Sequence, residues 1–124
     1  MDERRKFSRI FFAASAQIAQ SIQTWETTIL DLSLNGALVK EPKDFIANGK
    51  LVTLTFTLPQ SDIQVQMETL LVHHEPGLLG LKCTHIDVDS ISHLRRMVEL
   101  NIGDANLLDR ELSRFVEEHD ITMQ

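Results

Sequence analysis

The hydrophobic period of this chain changes once, near residue 87. Before that point apolar and polar residues alternate in short runs, as in half-buried strands; after it apolar residues recur at helical spacing. Ala16 to Gln20 alternates, with Phe11 and Phe12 leading in, and Trp25 to Leu32 is rich in threonine and β-branched residues. Ser33-Leu34-Asn35-Gly36 reads as a turn, because Asn-Gly favours positive φ, and Ala37 to Lys40 returns from it as a third strand. A connection over 41–50 leads to Leu51–Leu58, where Val52, Leu54, Phe56 and Leu58 share one face and the threonines the other. Pro59 ends that run. Ile63–His73 and Leu78–Ile86 follow, joined through Pro76-Gly77. Six strands with short turns predict an antiparallel barrel, since closure removes exposed edges.

After the switch, Asp89 is placed as the cap of a helix carrying Ile91, Leu94, Met97 and Val98 on one face. Gly103 breaks it, and Asp104 starts a second helix with Leu107, Leu108, Leu112, Phe115 and Val116 at helical spacing. Both stripes are expected to pack on the barrel. The expected architecture is one mainly β domain: a six-stranded antiparallel barrel over 11–86, preceded by a flexible segment over 1–10 and followed by a helical tail over 87–124.

At 124 residues the chain is long enough to bury a core. Its net charge of −6 argues against DNA or RNA as a partner, because such binding is driven by phosphate neutralisation. The charge is uneven. Residues 2–9 sum to +2 and leave −8 on the rest, a pattern that suits a small anionic ligand. The single cysteine, Cys83, excludes an internal disulfide and falls in an apolar alternating run, so it reads as a buried thiol. Arg4-Arg5 followed by Ile10-Phe11-Phe12-Ala13-Ala14-Ser15-Ala16 mimics an export signal, but Arg9 abuts the short apolar segment and Gln17 and Gln20 interrupt its continuation. No run approaches the roughly 20 apolar residues of a membrane span. A cytoplasmic monomer is the expectation.

Two segments carry chemistry. Arg4-Arg5-Lys6-Phe7-Ser8-Arg9 concentrates guanidinium groups, which grip phosphate bidentately, stack on purines or donate to guanine O6 and N7. By itself it also reads as a solvated basic tail. Asp31-Leu32-Ser33-Leu34-Asn35-Gly36 begins 22 positions after Arg9. Its Asp31 carboxylate can accept from a guanine N1–H and amine, its Ser33 hydroxyl can bond a ligand, and Gly36 allows close backbone approach. By itself it also reads as a self-bonded hairpin turn. His73 and His74 are adjacent on a predicted strand, so their side chains point to opposite faces, and no metal-ligand spacing occurs. No nucleophile elbow, Walker loop or dinucleotide fingerprint is present, and Glu99, Asp104, Asp109, Glu111, Glu117 and Glu118 read as solvated helix faces. No enzyme activity, metal or cofactor is expected.

Taken together, Arg5-Lys6-Phe7-Ser8-Arg9 matches R-x-x-x-R and Asp31-Leu32-Ser33-Leu34-Asn35-Gly36 matches D/N-x-S-x-x-G. In that order, on a six-stranded pattern, they resemble a PilZ domain, the bacterial receptor for cyclic di-GMP, whose fold is a split barrel. The run Ile86–Arg96 and the helices after it resemble the tail of small stand-alone PilZ proteins of the Pseudomonas single-domain type. The resemblance implies that Arg5 and Arg9 clamp phosphates and guanine edges and that Asp31 and Ser33 meet a guanine from the barrel surface, with Gly36 shaping the turn. It implies that Arg4 holds a second, intercalated ligand molecule, with Lys6 and Asn35 in support. His73 falls where similar domains present a tryptophan, and offers less stacking area. Ligand binding would order the N-terminal segment, move Phe7 and Ile10, and signal to a downstream protein controlling motility, adhesion or biofilm formation. The alternative is a PilZ-like interaction adaptor that does not need nucleotide.

Overall fold

The computed structural model describes residues 9–59, 61–103 and 105–119. Six strands, β1 (Ile10–Gln20), β2 (Gln23–Ser33), β3 (Gly36–Lys40), β4 (Val52–Thr57), β5 (Gln64–Glu75) and β6 (Leu78–Ile86), precede two helices, α1 (Val88–Ile102) and α2 (Ala105–His119). The strands close into an antiparallel barrel in the order β1-β2-β3-β6-β5-β4. The predicted fold is therefore present, and closure leaves no free sheet edge running the length of the molecule. The seam between β1 and β4 is short, four pairs from Ala16↔Phe56 to Ala19↔Thr53.

The alternation of β4 points Val52, Leu54 and Phe56 inward, where they meet Val65 and Met67 of β5 and Leu79 and Leu81 of β6. Each such fully buried aliphatic side chain contributes on the order of 2 kcal/mol, which is why the period of two is so strongly selected. The helices cover this core: Ile91, Leu94 and Val98 of α1 and Phe115 of α2 are all at 0% exposure. Ser90 ties α1 to the barrel, its Oγ accepting from the Gln66 N–H at 3.2 Å.

The local readings change in four places. Strand β1 begins at Ile10, which is buried, so that residue belongs to the barrel and not to the preceding segment. The early half of β1 does not alternate cleanly because a bulge falls between Phe11 and Ala14. The cap of α1 is Asp87, not Asp89: its extended backbone (φ −76°, ψ 159°) lets the carboxylate accept from the Ser90 N–H at 2.9 Å, and Asp89 lies inside the first turn. Glu111 is buried at 6% instead of lying on a solvated face. Gly103 does end α1, with φ 80° and its N–H donating to the Glu99 carbonyl. The start expected at Asp104 lies outside the described residues.

At one end of the barrel the connection after β3 folds back on the sheet. Phe45 packs edge-on to Trp25 with centroids 5.0 Å apart and faces the His74 ring at 6.4 Å. Glu41 holds this end together, accepting from the Gly77 N–H and pairing with His74 Nε2. Those two bonds hold its carboxyl below the ordinary value of 4.5. The β2–β3 turn lies at the opposite end, beside the start of β1.

Candidate ligand-binding site

The site is built on a bulge. Ile29 and Leu32 are three residues apart in β2 and both are fully buried, which a regular strand forbids. A register shift between Ile29 and Asp31 inserts the extra residue that turns both inward. Asp31 is thereby left on the outer face, paired with Phe11 on one side and Leu38 on the other. It is 6% exposed. Arg9 Nη1 lies 3.9 Å from its Oδ2, with the arginine side chain 41% exposed. That separation is an ion pair beyond hydrogen-bond range, so the guanidinium fork is close to the carboxylate without being locked on it.

The turn after Asp31 is tightly self-bonded. Ser33 is buried, its Oγ accepting from the Asn35 N–H at 3.2 Å and donating to the Gly36 carbonyl at 3.4 Å. The Asn35 carbonyl accepts from the Cys83 N–H at 2.8 Å, which anchors the turn to β6. The Asn35 side chain is buried, and among the described residues neither of its amide atoms has a hydrogen-bond partner. Gly36 has φ +152°, and a Cβ there would stand 2.0 Å from the Leu81 carbonyl oxygen. Only glycine lets β3 approach β6 this closely.

The register extends the site across the sheet. Asp31 pairs with Leu38, Leu38 with Gly80, and Gly80 with His73. Residues opposite one another on an antiparallel ladder share a face, so these four form one outer row. Gly36, Lys82 and Leu70 form the next. His73 lies directly over Gly80, where an added Cβ would fall 2.8 Å from its own, and its side chain is 58% exposed. Three strand spacings, about 14 Å, separate His73 from Asp31. Adjacent His74, one residue on in the strand, points away from this row and pairs with Glu41.

The structure thus brings together Arg9, Asp31, Ser33, Asn35 and Gly36, and sets His73 at the far side of the same face. Arg4, Arg5 and Lys6 lie outside the described residues. Leu38, Gly80 and Lys82 are on this face and sequence reading passes over them. The alternation of β3 and β6 marks them as outward, but only the pairing of two strands separated by nearly forty residues of chain sets them beside Asp31. Cys83, on the inner face, is pushed up to about 12 by burial and is no nucleophile near neutral pH. Among the described residues no three His, Cys, Asp or Glu side chains gather to hold a metal, and no helix is long and apolar enough to cross a membrane.

A closed barrel with a helical tail, carrying an arginine against an aspartate at its β2–β3 turn, defines a class of small β-barrel domains. The family model for the PilZ domain matches residues 3–100, and the chain belongs to that family. Solved structures agree in fold. The Bacillus subtilis inhibitor of motility (MotI/DgrA) is 18% identical with a TM-score of 0.67, over 81% of this chain and 52% of that one. This chain thus spans about half the length of the Bacillus protein. The PilZ domain of CeSA from a cellulose-synthesizing bacterium is 16% identical with a TM-score of 0.60, over 78% and 99% of the two chains. The Borreliella burgdorferi PlzA protein, solved in complex with c-di-GMP, is 20% identical with a TM-score of 0.50, over 76% and 36%.

Proposed function

We propose that this protein is a non-enzymatic receptor for cyclic di-GMP that passes the signal to a protein partner. One observation carries the reading: Arg9 lies 3.9 Å from the nearly buried carboxylate of Asp31 at the mouth of the β2–β3 turn. An arginine in this position can exchange partners. Its fork turns from Asp31 to a ligand phosphate or guanine Hoogsteen edge, and the guanine N1–H and amine donate to the carboxylate. The exchange leaves the guanidinium facing an anion, the ligand phosphate, and replaces a long contact by charge-assisted hydrogen bonds. The turn is already organised by Ser33 and Gly36, so little entropy is lost in presenting Asp31.

Arg5 is assigned to the same clamp and Arg4 to a second ligand molecule by their place in the motif. One or two ligands per chain are expected, bound to a cytoplasmic monomer. The c-di-GMP complex of PlzA and the motility role named for the Bacillus protein support a ligand of this kind and an output through another protein.

Titration calorimetry with cyclic di-GMP tests the reading. Binding should weaken with salt, and Arg9→Ala should lose about 2 kcal/mol or more, the worth of a charge-assisted bidentate contact. Lys40→Ala, at the far end of β3, should change little. No heat at tens of micromolar would instead favour an adaptor that works without nucleotide.

A further inference from the structure

We infer that Lys82 is an additional binding residue of this site, a cation that takes a ligand phosphate on the β6 side. The inference rests on the cyclic di-GMP reading and adds a residue to it. Lysine is disfavoured within strands, and where it does occur it commonly guards an exposed sheet edge. Lys82 guards none, because β6 is paired on one side with β3 and on the other with β5. Its neighbours in the strand, Leu81 and Cys83, are buried inside the barrel, so alternation places Lys82 on the outer face.

Its surroundings are those of a ligand floor. Gly36, directly opposite on β3, has no side chain, and Gly80, two residues earlier on the same face, has none either. Leu38 completes the apolar strip between Lys82 and Asp31. Gly36 in turn pairs with Ser33, so the Lys82 backbone lies two strand spacings, about 10 Å, from Ser33. A strand side chain stands roughly perpendicular to its sheet, so the flexible four-carbon stem of Lys82 rises beside this bare strip. Arg9 and Lys82 therefore bound the floor from opposite sides with Asp31 between them. A ligand carrying two phosphates joined by purine nucleosides can place one phosphate at each cation and lay a base on the bare strip over Leu38 and Gly80.

The test is calorimetry with cyclic di-GMP on the full chain. Lys82→Gln should weaken binding about tenfold, while Lys40→Gln, which removes the same charge from β3 at the other barrel end, should weaken it less than about twofold. Lys82→Arg should retain binding within about threefold, since a point cation at this site needs charge more than shape. Urea midpoints of both Lys82 variants within the error of the parent exclude a folding effect; if Lys82→Gln is destabilised, retention by Lys82→Arg and loss in Lys82→Met carry the decision. Binding by the parent with unchanged affinity in Lys82→Gln overturns this inference alone, as do equal losses in the Lys82 and Lys40 variants. No binding by the parent overturns the receptor reading and this inference together.

Discussion

Replacing Gly36 by alanine tests the packing that builds the site. The added Cβ would stand 2.0 Å from the Leu81 carbonyl oxygen and 3.2 Å from the Lys82 Cα, both backbone atoms that no side-chain rotation can move away. Strands β3 and β6 must separate, which costs about 1–3 kcal/mol as overpacking does. Separation weakens the 2.8 Å bond from the Cys83 N–H to the Asn35 carbonyl, worth about 1 kcal/mol. The φ of +152° adds about 1–2 kcal/mol of backbone strain. The total is about 3–6 kcal/mol, a large part of the roughly 10 kcal/mol that holds a domain of this size together. At about 3–4 °C per kcal/mol, Tm should fall by at least about 10 °C. Urea unfolding followed by the fluorescence of Trp25, the single tryptophan, measures this directly. Gly77→Ala is the control. That residue has φ +88°, but a Cβ on it meets nothing within 4 Å, so only the backbone term of about 1 kcal/mol applies. If Gly36→Ala costs no more than Gly77→Ala, the close approach of β3 to β6 is not what requires glycine, and the reasoning fails.

Two further outcomes follow from side chains away from the site. Asp87→Ala should cost about 1 kcal/mol in urea unfolding and Asp89→Ala less than about 0.5, because Asp87 caps α1; the reverse order would return the cap to Asp89. The hydrogen bonds from His74 and from the Gly77 N–H hold the Glu41 carboxyl below its ordinary value, so its folded form favours the carboxylate. Its stabilisation is complete above about pH 4.5 and is lost as pH falls through the lowered value. The Tm difference between the parent and Glu41→Gln should therefore shrink stepwise from pH 6 to pH 3, and a constant difference would show that Glu41 is not held in this way.

Much of the barrel is visible in the order of residues. Val52, Leu54 and Phe56 alternate because one face of β4 is wet and the other dry, and the turn at Asn35-Gly36 announces itself by residue type. The bulges are not visible. Both β1 and β2 carry an extra residue near the site, and a strict period of two would have sent Leu32 or Ile29 outward. The burial of Glu111 is likewise hidden, because a helical stripe reports hydrophobicity and says nothing of which polar neighbours the packing encloses. The choice of Asp87 over Asp89 turned on a backbone angle, since either aspartate is a good cap by type.

The same division runs through the site. Arg9, Asp31, Ser33 and Gly36 stand in the one-dimensional string with their types and spacing, and from them the family and its ligand chemistry could be read, because hydrogen-bonding capacity belongs to a side chain wherever it is placed. The row from Asp31 through Leu38 and Gly80 to His73, and the lysine beside it, exist only once β3 has paired with β6. Those strands are joined by nearly forty residues of intervening chain, and their register is set by burial of the core and by the contact at Gly36, neither of which any local stretch of sequence contains.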